Sequence, residues 1–300
     1  MIAPLPPATA FVLAGGGSLG AVQVGMLQAL VAAGLHPDFV VGASAGALNA
    51  ACFAAQPDAE GLARLARIWR GLRRDDIFPV TLAGAALCLL GRRGHLAKPA
   101  RLRALIEREL PYSRLEDAPL PCHVVATDAL DGTEVTLSRG DAVQALLASA
   151  AIPGVFPPVT IDGRALIDGG VASYTPISAA FSVGARRVVV VPTGFACALA
   201  EPPRGALAAA LHALNLLAMR QLLADVERFA GRCELAIVPP LCPLATSSHD
   251  FSQADALVMR GEAATTRWLR EGGLERARED PRWALLPHRH RTAAVAAATA

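Results

Sequence analysis

Three short stretches of this 300-residue chain hold residues whose types and spacing can do chemistry. The first is Gly15-Gly16-Gly17-Ser18-Leu19-Gly20, set between an apolar run (residues 10–14) and a helical pattern (residues 21–33). Glycines there permit a tight turn and leave backbone N–H groups pointing outward at a helix N-terminus, a nest for an anion or a developing oxyanion. The second is Gly42-Ala43-Ser44-Ala45-Gly46, again between a strand pattern and a helix pattern. GxSxG in that context is a nucleophile elbow, in which the serine sits on a sharp turn that only small neighbours fit. The positive end of the following helix dipole favours an alkoxide-like oxygen at Ser44. The third stretch is Asp168-Gly169-Gly170, at the C-terminal end of a strand pattern, the end of an α/β sheet where sites gather. A carboxylate held against a serine in a shielded site can take its proton directly.

Other readings of these residues compete. The glycine run also fits the GxGxxG dinucleotide fingerprint, which wants an acidic residue at the end of the next strand to hold the ribose. That strand ends in Gly42-Ala43-Ser44, and Asp38 precedes it, so the nucleotide reading lacks its second contact. A histidine could serve as the serine's base, and there are seven: His36, His95, His123, His212, His249, His288 and His290. His36 follows the Gly34 helix end and His123 opens a strand, so both read as structural. His249 lies in a polar segment (residues 246–250) and completes a triad in the order Ser44, Asp168, His249. Against that triad, the elbow follows the second strand, whereas such enzymes place it after several. Asp128 and Asp131 read as turn formers.

The elements that must position these residues follow from the hydrophobic pattern. Short apolar runs at residues 10–14 and 39–42, each stopped by glycine and followed by a helix (residues 21–33 and 45–55), are the signature of a parallel α/β sheet. Further strands are expected at 122–127, 134–137, 165–167, 187–191 and 233–238. Helices are expected at 60–74, 100–110, 141–150, 207–229 and 252–270. The chain divides into a catalytic domain (1–200), a C-terminal helical extension packed on it (201–287) and a disordered tail (288–300). With 53% apolar and 18% charged residues and a mean hydropathy of +0.39, the chain can bury a large core, and disorder is excluded. A net charge of +2 and 5% aromatics argue against nucleic acid as a partner. No apolar run reaches the ~18 residues of a membrane span, and the N-terminus has no basic n-region, so a cytoplasmic protein is expected. Cys52, Cys88, Cys122, Cys197, Cys233 and Cys242 lack zinc spacing and read as reduced core thiols. Residues 1–59 contain no Lys or Arg, whereas residues 60–108 carry eleven basic against four acidic residues, a net of +7. Within that basic window residues 80–90 are apolar and bracketed by Arg73-Arg74 and Arg92-Arg93. They either dip into a membrane interface, making the protein peripheral to it, or pack inward as a core helix.

Taken together, the glycine loop, the GxSxG elbow and Asp-Gly-Gly resemble the patatin-like phospholipase family. Ser149-Ala150-Ala151-Ile152-Pro153 and Phe156-Pro157-Pro158 resemble that family's proline-bearing block ahead of the aspartate. The resemblance spans residues 11–191. It implies a three-layer α/β fold with a mostly parallel central sheet, and a serine lipid acyl hydrolase acting on a lipid or acyl ester. It implies Ser44 as nucleophile, Asp168 as general base and no histidine, metal or cofactor. It further implies an oxyanion hole in Gly15, Gly16, Gly17, Ser18 and Gly20, an elbow flanked by Gly42 and Gly46, and a motif completed by Gly169 and Gly170. One departure is Leu19, where many members carry a basic residue. The alternatives are a Ser-His-Asp esterase and a catalytically silent membrane-associated binding module.

Overall fold

The computed structural model describes residues 8–77, 94–194 and 205–285. Cys88, Cys197, the apolar run at 80–90 with Arg92-Arg93, and the tail with His288 and His290 lie outside the described residues. In chain order the strands are β1 (Thr9–Leu13), β2 (Phe39–Ala43), β3 (Cys122–Asp128), β4 (Glu134–Leu137), β5 (Val159–Ile161), β6 (Arg164–Asp168), β7 (Arg187–Val191) and β8 (Glu234–Ile237). They build one sheet in the order β5-β6-β3-β2-β1-β7-β8, with β4 also paired to β3. The run β3-β2-β1-β7-β8 is parallel, and β4, β5 and β6 join antiparallel. The helices are α1 (Gly20–Ala32), α2 (Ala45–Ala55), α3 (Ala59–Gly71), α4 (Arg74–Ile77), α5 (Ala100–Glu109), α6 (Ala142–Ser149), α7 (Ile177–Val183), α8 (Ala206–Phe229), α9 (Ala254–Arg270) and α10 (Gly273–Glu279).

A strand with no polar alternation is stable only when both of its faces are covered. β1 and β7 meet that condition by alternation across the sheet. Phe11, Leu13, Val189 and Val191 enter the core shared with α1, α2, α3 and α9, whereas Ala10, Val12, Val188 and Val190 enter the core shared with α7 and α8. The result is three layers with a mostly parallel sheet between two layers of helices. α3 shows how the basic window fits this plan. Asp58 caps its N-terminus by accepting from the Gly61 amide at 2.8 Å, Leu62, Leu65, Ala66 and Trp69 face inward, and Arg67 and Arg70 stay exposed.

The expected elements recur within a few residues of their bounds. The short strand β5 and the seven-residue helices α7 and α10 carry too few periodic positions to stand out in the sequence. The segment expected as a helical extension also contributes to the central layer. β8 pairs in parallel with β7, and α9 lies directly on α1, so a boundary at residue 200 does not coincide with an edge of the sheet.

The register around β3 positions the site. β2 runs parallel along β3 until Ala43 faces Val125, and β6 runs antiparallel until Asp168 faces Ala126. β4 occupies the opposite edge over Val124 to Thr127. β2 and β6 therefore share one edge of β3 and meet there carboxyl end to carboxyl end.

The α1–α9 crossing gives a test of this packing. A Cβ on Gly25 would overlap the Val258 carbonyl, and one on Gly261 would sit 2.5 Å from the Val22 carbonyl, so the two backbones touch. Gly25→Ala adds about 1 kcal/mol of intrinsic helix propensity. Overpacking against a backbone that cannot rotate away costs about 1–3 kcal/mol or more, so a net loss of stability is expected. A thermal melt reads the sign, and a raised Tm would show that the helices separate freely.

Candidate active site

Close backbone approach dictates the elbow. A Cβ on Gly42 would overlap the Gly46 carbonyl, and a Cβ on Gly46 would overlap the Leu13 carbonyl, so both flanking glycines are required by space. Between them Ser44 adopts φ 54 and ψ −125, a conformation costing a non-glycine residue on the order of 1–3 kcal/mol. The Ser44 amide donates to Ser149 Oγ at 2.9 Å, and Ser149 Oγ donates to the Val125 carbonyl at 2.6 Å. Ser149 is fully buried at the end of α6, so the strained turn is fixed to β3 by a side chain that cannot drift.

Ser44 Oγ donates to Asp168 Oδ2 at 2.7 Å. The other carboxylate oxygen, Oδ1, accepts from the Gly170 amide at 2.7 Å. The Asp168 amide donates to the Ala151 carbonyl at 2.9 Å, and its carbonyl accepts from Thr127 Oγ1 at 2.8 Å. Gly169 lies so close to β3 that a Cβ there would overlap the Val125 carbonyl. Asp168 is 6% exposed, and burial raises its pKa from 3.8 to about 6 against the opposing hydrogen bonds from Ser44 and Gly170.

The glycine loop divides its amides unequally. Gly15 N donates to the Tyr174 carbonyl at 2.8 Å, Ser18 N to the Ser248 carbonyl at 2.9 Å, and Gly20 N back to the Gly17 and Ser18 carbonyls. Ser18 Oγ is committed to the Ser247 carbonyl at 3.0 Å. Of the five residues expected to form an anion nest, Gly15, Ser18 and Gly20 thus spend their amides inside the fold. Gly16 and Gly17 have no amide acceptor among the described residues. Gly17 has φ 56, and the Ser248 carbonyl occupies the place of any Cβ, so no side chain fits there. Leu19 is fully buried in the core.

Beneath the loop lies a buried polar chain that sequence reasoning missed. Gln23 Nε2 donates to the Ala14 carbonyl at 2.8 Å and the Val191 carbonyl at 2.9 Å. Asn49 Nδ2 donates to the Gly20 carbonyl and to Gln23 Oε1, and Trp69 Nε1 donates to Asn49 Oδ1 at 2.8 Å. Ser149, Thr127, Tyr174 and Thr193, whose Oγ1 donates to the Gly15 carbonyl at 2.6 Å, were likewise not singled out, and only Ser149 lay inside a stretch that the family pattern marks.

The competing candidates sit elsewhere. Asp128 caps its own turn at the Leu130 amide and pairs with Arg164, and Asp131 binds the Thr133 amide and hydroxyl. Asp38 accepts from the Thr9 amide. His123 pairs with Ser138 Oγ at 2.7 Å and packs edge-on against Phe39. His249 Nε2 has Ser247 Oγ as its neighbour at 3.4 Å, and among the described residues neither Ser44 nor Asp168 bonds to it.

From Gly17 and Ser44 an apolar slot of about 80 Å³ runs between α2, α3 and α5, walled by Leu48, Leu65, Ile68, Trp69 and Leu105. A hydroxyl on a carboxylate, two unused amides and an apolar slot are the parts of an acyl-transfer site.

The buried carboxylate makes a stability prediction. A carboxyl whose pKa is raised by folding binds its proton more tightly when folded, so stability falls as pH rises from about 4 through about 6. Asp168→Asn removes that loss, and should gain on the order of 2 kcal/mol near pH 8 relative to its effect near pH 4. Thermal melts at both pH values check it, and a pH-independent difference would contradict the buried-charge account.

A family model described as patatin-like phospholipase matches residues 11–181. An uncharacterized NTE family protein of Mycobacterium tuberculosis is 30% identical over 185 residues, 62% of this chain and 49% of that protein. Human patatin-like phospholipase domain-containing protein 6 is 30% identical over 187 residues, 62% of this chain and 13% of its own length. Rat patatin-like phospholipase domain-containing protein 7 is 26% identical over 91% of this chain and 22% of its own. The chain thus spans about half the length of the mycobacterial relative and far less of the mammalian ones.

Proposed function

Because the chain belongs to the patatin-like phospholipase family, we propose that it hydrolyses carboxylic esters of lipids with Ser44 as nucleophile and Asp168 as its base. The observation that carries this reading is the 2.7 Å hydrogen bond from Ser44 Oγ to Asp168 Oδ2, beside a glycine loop with two unengaged amides. In the first half-reaction Ser44 Oγ attacks the ester carbonyl carbon while its proton passes to Asp168. The tetrahedral oxyanion is met by the Gly16 and Gly17 amides, and each such donor contributes about 3 kcal/mol of transition-state stabilisation. As the intermediate collapses, the C–O bond to the alcohol breaks and the leaving oxygen takes the proton back from Asp168. In the second half-reaction Asp168 takes a proton from water as it attacks the acyl-enzyme, and returns that proton to Ser44 Oγ as the C–O bond to the serine breaks, releasing the acid.

The apolar slot next to Ser44 suits the acyl portion of the substrate. The net +7 of residues 60–108 suits peripheral contact with a membrane from the cytoplasm. Among the described residues no helix is long and apolar enough to cross a membrane. Neither the dyad nor the loop amides require a metal or cofactor for this chemistry.

The reading makes sharp kinetic predictions. Ser44→Ala should abolish ester turnover, by at least about a thousandfold, and block covalent labelling by a fluorophosphonate, with the melt retained. A silent binding module would show neither turnover nor labelling in the wild type. Asp168→Asn should lose most of kcat, whereas His249→Ala should leave it within a few-fold. The opposite ranking would restore the histidine triad. Because the base must be ionised, kcat/KM should rise with pH through about 6 and level above it. A profile rising only above pH 8 would assign the proton to another group.

A further inference from the structure

We propose that the groove between α3 and α5 is the face this protein sets against an anionic lipid bilayer, and that acyl chains pass from it to Ser44 through the apolar slot. The proposal rests on the reading of the Ser44 site as a lipid-ester hydrolase. The groove has a volume of about 640 Å³, and its polar walls are Arg64 and Arg67 from α3, Asp76 from α4, and Arg101, Arg108 and Glu109 from α5. Four guanidinium groups thus face two carboxylates.

The arginines differ in what they already hold. Arg108 Nε pairs with Glu109 Oε1 at 2.7 Å, and Arg101 donates to the Asp75 carbonyl at 2.9 Å. Among the described residues neither Arg64 nor Arg67 has a hydrogen-bond or ion-pair partner. The two stand three positions apart on one helix, where like charges repel and an external anion relieves the repulsion. A guanidinium fork matches the oxygens of a phosphate diester, the anion that a bilayer presents at its surface.

Continuity with the site separates a bilayer from other polyanions. Ile68, Leu72, Leu105 and Glu109 line both the groove and the slot that begins at Gly17 and Ser44. The apolar slot that reaches Ser44 therefore adjoins the basic face across these four residues. A bilayer phospholipid offers both an anionic group for the rim and a hydrocarbon chain for the slot. Nucleic acid would satisfy the arginines and leave the slot without an occupant.

The test uses the full chain and sedimentation with two kinds of vesicle, phosphatidylglycerol mixed with phosphatidylcholine, and phosphatidylcholine alone. Turnover of a water-soluble short-chain ester is read on the same preparations. The wild type should prefer the anionic vesicles, and lose the preference in high salt. Arg64→Gln with Arg67→Gln should weaken anionic-vesicle binding about thirtyfold, and Arg64→Lys with Arg67→Lys should retain most of it. A glutamine pair that keeps its melt and binds these vesicles like the wild type overturns the groove, with the hydrolase reading intact. Duplex DNA held as tightly as the anionic vesicles also overturns it, in favour of a general polyanion patch. A wild type that turns over no ester removes the hydrolase reading, and the acyl path falls with it.

Discussion

The meeting of β2 and β6 on one edge of β3 is the constraint from which the rest of the site follows. In an all-parallel sheet the residue after one strand faces a neighbour running the same way. Here an antiparallel strand arrives from the opposite direction and stops one position short of Ala43, so the two chain ends aim at each other. Ser44 is the first residue beyond β2 and Asp168 the last of β6, and the bond between them spans that junction. No side chain needs to reach far. The pair is held by backbone register, which is the stiffest positioning a sheet can give.

That junction carries two costs, the left-handed backbone of Ser44 and the burial of the Asp168 carboxylate. Strain of this kind persists only where the surroundings over-determine it. Ser149 and Thr127 supply that determination, each bridging β3 to one half of the pair. The chain of Gln23, Asn49 and Trp69 does the same for the glycine loop, with each of its amide and indole donors used. A buried polar chain that is fully satisfied adds rigidity, whereas one with a missing partner would cost more than an apolar core. The amides of Gly16 and Gly17, which have no acceptor among the described residues, therefore stand on a fully hydrogen-bonded base.

How much of this was legible in the sequence depended on the range of the interactions. The alternation of apolar runs, glycine turns and helices is local, and it located β1, α1, β2 and α2 within a residue or two. The roles of Gly42 and Gly46 were also local, because the elbow needs small residues at fixed offsets. The division of labour among the loop's amides was not legible. It is decided by the carbonyls of Tyr174 and Ser248, far away in sequence. The role of Ser149 was hidden for the same reason, as a serine at a helix end has no local mark of a partner in the elbow after β2. The place of β8 in the sheet could not be read from residues 233–238 either, since pairing with β7 leaves no trace in composition. His249 was a reasonable rival by spacing alone. The fold brings its segment to the glycine loop, where Ser247 and Ser248 offer backbone carbonyls to Ser18.

A serine hydrolase without histidine must find another base that titrates near neutrality. An exposed aspartate, ionised above about 4, is too weak a base to take a serine proton. Burial changes that balance, since removing water destabilises the carboxylate and raises its proton affinity to about 6, close to an imidazole's ordinary value of about 6.5. The hydrogen bonds from Ser44 and Gly170 oppose the shift, so the carboxyl comes to rest at about 6 rather than higher. On the proposed reading, the layered fold does electrostatically what an imidazole would do by its chemistry. On that reading, the burial that makes Asp168 basic enough is the same burial that costs stability as pH rises from about 4 through about 6, so stability is traded for reactivity through a single carboxylate.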